Sequence, residues 1–199
     1  MKKITGLVLI VLLAGCSSSA SVKIAAAFPS VVSDPKPINA SIFIEDSFAS
    51  YVGTPNKNTT IDIGASQVDL LKSAFSGLFG NVTFVTALDQ INPETDLIIT
   101  PSVLEVQVST PTDNYLNVFE VWIKYNLEIE AADGTPITNW FMPAYGKSPD
   151  SFMASKEKAI EQATVVALRD AGAKLMLDFY RIPAINDWLS RQDIKQESR

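Results

Sequence analysis

The chain has 199 residues, with 16 Lys and Arg against 22 Asp and Glu, no histidine and one cysteine. A formal charge of −6 argues against nucleic-acid binding, because neutralising phosphates requires clustered Lys and Arg. Without histidine, the chain cannot build Ser-His-Asp, Cys-His or His-ligated zinc centres. With one cysteine it cannot form an internal disulfide, so its fold must be stabilised by core burial.

The first 15 residues have the features of a targeting segment rather than of folded structure. Lys2 and Lys3 precede an apolar run from Ile4 to Leu13, which is much shorter than the roughly 20 residues that span a bilayer. The run ends in Leu13-Ala14-Gly15-Cys16, which resembles the lipobox of bacterial lipoproteins. The resemblance implies a signal peptide over residues 1–15 and lipidation of Cys16. The alternative is an ordinary secretory leader with an incidental cysteine.

Lipidation of Cys16 implies that the protein is bound to a membrane through acyl chains, each buried methylene contributing about 0.8 kcal/mol. The next residue is Ser17 rather than aspartate. In sorting of the enterobacterial type, the lack of aspartate at this position implies the periplasmic leaflet of the outer membrane. We therefore expect a lipid-anchored protein of that leaflet.

The rest of the chain is divided into three parts by composition. Residues 16–39 are predicted to be a lipidated flexible tether, because a serine run is followed by Pro29, Pro35 and Pro37. Residues 40–192 are predicted to be a single periplasmic domain, and residues 193–199 a disordered tail. The apolar stretch from Val22 to Phe28 could pack on another part of the protein.

The first half of the domain alternates short strands with one helix. Apolar periodicity and turn residues predict the following elements in order: a strand over residues 40–46, a polar loop over 47–57, a short strand over 59–63, a helix over 65–79 closed by Gly80-Asn81, and a strand over 82–86.

The second half carries the clearest strand pattern of the chain. Residues 96–109 read as a long strand in which Pro101 suggests an edge or a bulge. In residues 117–131 every odd position from Phe119 to Ile129 is apolar, and the even ones are polar apart from Trp122. Strict period two predicts one buried and one solvated face. Asp133-Gly134 then predicts a hairpin to a strand over 136–145.

Two helices are predicted at the C-terminal end. Residues 155–179 form a long amphipathic pattern in which Ala163, Ala167 and Ala171 allow close approach to a sheet. Residues 185–192 form a short terminal helix after Pro183. The predicted fold class is α+β: a mainly antiparallel sheet with two helices packed on one face, including a long C-terminal helix.

A family likeness rests on several of these segments. They are the run Phe119 to Tyr125, the Asp133-Gly134 turn, Trp140, the run Tyr145-Gly146-Lys147-Ser148 and the alanine-rich helix around Ala167 to Ala171. Together they resemble a group of uncharacterised proteobacterial lipoproteins. In layout the chain is similar to small outer-membrane lipoproteins of the YajG and LptE kinds, with a lipobox, a tether and an α+β domain. Proteins of the LptE kind plug a barrel and assist lipopolysaccharide export.

Two patterns suggest chemistry, and each has a simpler explanation. The run Tyr145 to Ser148 ends like a phosphate-binding loop but lacks its upstream glycine, so we interpret it as a strand end and turn. Glu120, Glu128 and Glu130 could pair for acid–base catalysis, but they fall where a solvated face is expected. The sequence predicts no catalytic residue, no metal site and no cofactor.

Exposed aromatic residues are the more informative candidates. Trp122 lies on the polar face of the clearest strand, where it marks a partner-binding surface unless the tether or a helix covers it. Trp188 with Leu189 is a second candidate contact, for which packing of the terminal helix on its own domain is the alternative.

These patterns favour a non-enzymatic accessory or assembly factor that acts at the outer membrane through contacts with an envelope protein partner. The alternative is a carrier that holds a lipid or another apolar ligand between the sheet and the helices, where Ala163, Ala167 and Ala171 leave room. An enzyme is not expected.

We expect Cys16→Ala to leave the protein without acyl chains and to remove it from the outer-membrane fraction, because the thiol is the predicted site of lipidation. Membrane fractionation and intact mass measure both effects. A variant that stays membrane-bound with unchanged lipid mass would contradict the predicted anchor.

Overall fold

The protein was analysed as a computed structural model that describes residues 19–25, 28, 34–150 and 155–197, with only the backbone described beyond residue 192. Its strands are β1 (Ala20–Lys23), β2 (Lys36–Phe43), β3 (Val52–Asn56), β4 (Thr59–Asp62), β5 (Phe79–Val85), β6 (Leu97–Ser109), β7 (Val118–Ala131) and β8 (Pro136–Pro149). Its helices are α1 (Asp46–Ala49), α2 (Gly64–Leu78), α3 (Pro111–Asn114), α4 (Lys156–Asp178) and α5 (Pro183–Glu197). Short 3-10 turns lie at Leu88–Gln90 and Phe179–Arg181.

The described strands form a main sheet of five strands, in the order β5-β2-β6-β7-β8, and a small sheet in the order β1-β4-β3. In the main sheet β2 runs parallel to β5 and β6, whereas β6, β7 and β8 form two long antiparallel ladders. The antiparallel ladders dominate, and the long helix α4 lies near the C-terminus, so the predicted α+β class is confirmed.

Strand β7 has the alternation that its sequence predicts. The odd positions from Phe119 to Ile129 are at most 4% exposed, and the even positions are partly or fully exposed. Gly134 adopts φ +80°, which favours glycine, and its N–H donates to Ala131 O across the turn. The chain therefore returns as β8, which extends to Pro149 rather than ending at Tyr145.

Helices α2 and α4 pack on the face of the sheet that the odd positions of β7 form. At Gly146 the backbone of β8 lies against the backbone of Ala163 and Ala167, so closely that a Cβ atom would overlap with it. At the other end of α4, Phe179 makes edge contacts with Phe75 and Phe79, at 6.3 and 5.3 Å between ring centroids. Small residues thus set the spacing at one end, and aromatic rings fill the core at the other.

The ladders define two ends of the domain. At the upper end β6 finishes at Ser109, which pairs with Glu120 near the start of β7. At the lower end lies the Asp133-Gly134 turn. Helix α4 runs from the upper to the lower end. Gly146, near the end of β8, lies against Ala163 and Ala167, whereas Pro143, three residues earlier in β8, accepts a 2.5 Å hydrogen bond from Lys174 further along the helix.

The small sheet corrects two predictions. Residues 16–39 were predicted to be a flexible tether, but β1 lies within them, pairs in parallel with β4 and buries Ala20 and Val22 in the core. Apolar side chains at alternate positions make this segment part of the domain. Residues 47–57 were predicted to be a loop, but they contain α1 and β3, where Gly53 allows close packing on Val106.

Smaller differences have similarly local causes. Helix α2 ends at Leu78, and Gly80-Asn81 lies inside β5 rather than in a helix cap. Leu104 occupies a bulge between Val103 and Glu105 of the predicted long strand, which leaves it 59% exposed. Helix α5 continues to Glu197, into the tail that was predicted to be disordered. No helix of the described residues combines the length and the apolarity needed to cross a membrane.

We expect Gly146→Ala to lower the free energy of unfolding by about 2 kcal/mol or more, because the new methyl group would overlap with backbone atoms of α4 that cannot move aside. Urea denaturation followed by circular dichroism measures the change. Lys147→Ala is the matched control, since Lys147 is the next residue and is exposed. Equal urea concentrations at the midpoint of unfolding for both variants would contradict the close contact between β8 and α4.

Candidate binding surface beside strand β6

The main sheet has one face that α2 and α4 do not cover. The odd positions of β7 point to the helices, so the even positions, including Glu120, Trp122 and Lys124, point the other way and are partly exposed. The register places Trp122 between Gln107 of β6 and Tyr145 of β8. An aromatic side chain therefore lies near the middle of the uncovered face.

Trp122 is supported from the side by Tyr145. Their ring centroids are 5.2 Å apart with an angle of 42° between the planes. From the sequence, the tether or a helix could have covered Trp122. In the described residues α4 packs on the opposite face, and Trp122 keeps an intermediate exposure. The ring is held in place and still accessible from solvent.

Tyr145 is fixed by the first of two linked hydrogen bonds, which reach Asn114 at the upper end of the domain through Glu120. Its hydroxyl donates to Glu120 Oε1 at 2.7 Å, and Glu120 Oε2 accepts from Asn114 Nδ2 at 3.0 Å. Burial raises the pKa of Tyr145, and the hydrogen bond and negative charge of Glu120 raise it further, to about 12. The phenol is therefore protonated at neutral pH and acts as a fixed donor.

An ion pair lies at the next even position of β7 after Trp122. Lys124 Nζ donates to Glu105 Oε2 at 2.6 Å, across the β6–β7 ladder. This hydrogen bond, with a second one from Gln107, holds the pKa of Glu105 below its usual range. Trp122 thus has the Tyr145 ring on its β8 side and Gln107 opposite it on β6, with the ion pair at the neighbouring position of the same ladder.

A groove runs along the edge of β6 beside Trp122. In the described chain β2 pairs with β6 only over residues 97–99, so the β6 edge from Thr100 onward has no strand partner. The groove has a volume of about 540 Å³. Its lining residues are Tyr51, Thr54, Pro55, Leu104, Glu105, Val106, Gln107, Val108, Ser109 and Trp122.

Trp188 and Leu189, the second predicted contact, lie on α5 and not on the uncovered face of the main sheet. Trp188 is only 5% exposed, because α5 packs on its own domain, which is the alternative that the sequence had left open. Leu189 is partly buried beside it and lines a small hollow with Lys36 and Ile38. The predicted lipidation site, Cys16, lies outside the described residues, as does the predicted signal peptide over residues 1–15.

Glu120 lies far from the other two glutamates of β7. Glu128 follows it eight positions later, which corresponds to about 27 Å along an extended strand. Glu128 and Glu130 are exposed and partly exposed on the same face, where the sequence predicts a solvated surface. Among the described residues, no group of three or more His, Cys, Asp or Glu could hold a metal ion. Residues 145–148, the phosphate-loop candidate, lie within β8 and precede no helix N-terminus directly.

Among the described residues, the interior between the sheet and the helices is closely packed. A cavity of about 10 Å³ remains there, lined by residues that include Gln67, Tyr125 and Leu175. This is less space than an apolar ligand needs. A larger apolar groove of about 240 Å³ lies between α2 and α4, where Phe28 contributes to its lining.

The predicted hairpin contains a sequence signal for the Trp122–Tyr145 contact. Counting outward from a two-residue turn at Asp133-Gly134 places Trp122 opposite Tyr145, which is the pairing observed. The groove beside β6 had no comparable signal, since its second wall is formed by β3, a segment predicted to be a loop.

Comparison with known proteins shows the fold and no family. No protein-family model matches the sequence, and no curated protein matches it. Among solved structures, the chain is similar to one described as a candidate neuraminyllactose-binding haemagglutinin homologue from Helicobacter pylori. That match has a TM-score of 0.53 and 11% identity, and covers 86% of this chain and 99% of the other.

Two further solved structures match with lower TM-scores. A minor lipoprotein from Acinetobacter baumannii has a TM-score of 0.45 and 12% identity, covering 77% of this chain and 96% of its own. A DUF330 protein from Xanthomonas campestris has a TM-score of 0.41 and 12% identity. That match covers 79% of this chain and 95% of the other. The likeness to proteins of the YajG and LptE kinds stays a prediction.

We expect Glu120→Gln to lower the pKa of Tyr145 from about 12, because the amide no longer places a negative charge beside the phenolate. The pKa should stay above 10.0, since burial, the larger cause, is unchanged. The raised pKa stabilises the fold fully below pH 10, and this stabilisation is lost as pH rises through 12. The free energy of unfolding of Glu120→Gln should therefore fall less between pH 10 and pH 12 than that of the unchanged protein.

Absorbance of tyrosinate at 295 nm measures the change, taken as the difference between each protein and its Tyr145→Phe counterpart. Glu128→Gln is the matched control, because it removes a charge from the same strand about 27 Å away. Identical titration curves for Glu120→Gln and Glu128→Gln would contradict the Tyr145–Glu120 interaction.

Proposed function

We propose that the protein is a lipid-anchored module of the bacterial cell envelope that binds a protein partner and acts as a non-enzymatic accessory or assembly factor. It is held by acyl chains on Cys16 in the periplasmic leaflet of the outer membrane. The run Leu13-Ala14-Gly15-Cys16 and the Ser17 that follows it support this location.

The groove along β6 carries the proposal of a protein partner. An unpaired strand edge offers backbone N–H and C=O groups to which an extended segment of another protein can pair as an added strand. The groove of about 540 Å³ lies along this edge. The bulge at Leu104 limits the pairing to the short stretch beyond it, which suits one defined segment rather than open-ended aggregation.

Trp122 supplies the apolar anchor for such a partner. Tryptophan and tyrosine are enriched among the residues that dominate binding energy at protein interfaces. Because Tyr145 holds the indole at 5.2 Å and is itself fixed by Glu120, little side-chain freedom remains to be lost on binding. The edge of β6 would give affinity through backbone pairing, and Trp122 would give specificity.

A carrier of a small apolar ligand is the second candidate. The filled space between sheet and helices does not favour it, but the groove of about 240 Å³ between α2 and α4 does. Leu70, Ala74, Gly172 and Met176 give this groove an apolar lining. A ligand there would have to share the space with Phe28.

We expect a photoreactive phenylalanine analogue at Leu104 to crosslink one envelope protein in intact cells, because Leu104 lines the groove and is 59% exposed. The variant Trp122→Ala in the same background should reduce the crosslinked product about tenfold or more, as expected for loss of a central interface residue. Immunoblotting and mass spectrometry of the product measure both effects.

The matched control places the same analogue at Leu177, which is 63% exposed on the outside of α4. A crosslink of equal yield at Leu177, or one that persists in the Trp122→Ala variant, would contradict the proposed surface. A protein with no crosslink that copurifies with lipid from cells would favour the carrier.

A further inference from the structure

The loop between α3 and β7 presents two large apolar side chains to solvent. Tyr115 is 88% exposed and Leu116 is 66% exposed. Single exposed apolar residues are common on protein surfaces. Two adjacent ones at the tip of a loop are notable here because the backbone around them is strained and held in place.

The backbone takes the left-handed conformation at Tyr115 and Asn117, with φ angles of 57° and 53°. Asparagine tolerates such angles, but a bulky residue such as Tyr115 rarely adopts them unless the surroundings impose them, so the strain lies at Tyr115. Asn114 imposes them here. Its Oδ1 accepts from Leu116 N at 2.9 Å, and its Nδ2 donates to Val118 O at 2.9 Å.

The short helix before the loop is also fixed. Asp113 Oδ2 accepts hydrogen bonds from Thr110 N and Thr110 Oγ1, at 2.9 and 2.7 Å. The N–H of Tyr115 donates to Pro111 O at 3.1 Å. The loop is therefore a rigid turn that keeps two apolar side chains exposed.

The strands place this loop at the end of the domain where the chain enters the fold. Strand β3 follows β6 toward the upper end, because Gly53 contacts Val106, and Thr54 and Pro55 share a groove with residues up to Ser109. Strand β4 returns from that end, and β1 runs parallel to it, with Ala20 opposite Thr59. Ala20 and the Tyr115–Leu116 tip thus lie at the same, upper end.

The covalent distance to the predicted lipid is short. Three residues, Ser17 to Ser19, separate Cys16 from Ala20, and four residue steps reach at most about 14 Å even when extended. An acylated Cys16 would therefore hold the upper end of the domain near the bilayer surface, rather than at the distance that a tether over residues 16–39 would allow.

We propose that the Tyr115–Leu116 tip inserts into the lipid surface as a second membrane contact beside the acyl chains. This inference rests on the proposed lipid anchor at Cys16. The occupant is a phospholipid interface, into which tyrosine inserts favourably because its ring is apolar and its hydroxyl is polar. The polar residues Asp113 and Asn117 on either side limit the depth to the boundary between headgroups and acyl chains.

The test uses the full-length acylated protein in vesicles of phosphatidylethanolamine and phosphatidylglycerol. The variant Leu116→Cys provides a single free thiol, because the chain has one cysteine and its sulfur carries the lipid. An environment-sensitive fluorophore on this thiol reports polarity through its emission, and aqueous iodide reports access. Leu177→Cys, at a 63% exposed site near the lower end of α4, is the matched control.

We expect the emission at position 116 to shift to the blue and its iodide quenching constant to fall about fivefold on reconstitution, as for a side chain below the headgroups. The label at position 177 should keep its emission and quenching. Equal quenching at both positions on floated, acylated protein would overturn the loop contact and leave the anchor standing.

Two further results would overturn the proposal differently. A reconstituted protein whose intact mass lacks acyl chains would overturn the anchor, and the loop contact with it. Protection of the label in the vesicle-free double variant Cys16→Ala/Leu116→Cys would show that another copy of the chain covers the loop instead of lipid.

Discussion

The close seating of α4 on β7 and β8 is the contact on which the rest of the molecule depends. Glycine and alanine at Gly146, Ala163 and Ala167 bring the two backbones together. The larger odd-numbered side chains of β7 then fill the remaining space. Asp170 and Lys174 add hydrogen bonds to the backbone of β8, at Tyr145 N and Pro143 O. One face of the sheet is closed by this contact, so any surface available to a partner has to lie elsewhere.

That arrangement explains why two tryptophans that both suggested partner contacts have different surroundings. Trp122 lies at an even position of β7 and points away from α4, whereas Trp188 lies on α5 and points into the domain. Their exposure is decided by which face another element covers, and this is tertiary information that local hydrophobic patterns do not contain.

The predictable parts of the fold are those with strong local patterns. The period of two in β7, the Asp133-Gly134 turn and the long periodic run of α4 predicted their elements to within a few residues. The small sheet was missed because its signals are short: β1 has four residues, and β3 contains both Gly53 and Pro55. The parallel pairing of β2 with β5 and β6 depends on long-range contacts, for which a single sequence has no local signal.

The candidate surface could be predicted only in part for the same reason. Trp122 followed from the alternation of β7, and Tyr145 could have followed from the hairpin register. The free edge of β6 could not, because it exists only where β2 stops pairing after Ile42. Glu120 joins the two regions of interest, since it accepts hydrogen bonds from Tyr145 on the sheet face and from Asn114 in the upper loop.

Strand β1 gives the molecule a mechanical property that follows from its direction. The chain enters at Ala20 and runs along β4 in parallel, with hydrogen bonds from Ala20 N to Asn58 O at one end and from Ile24 N to Asp62 O at the other. Tension on the chain before Ala20 would act along the strand axis, across the direction of these bonds. The load would be shared by the whole ladder as shear, instead of opening one bond at a time. A short parallel strand where the chain enters the fold thus resists being pulled out along its own axis.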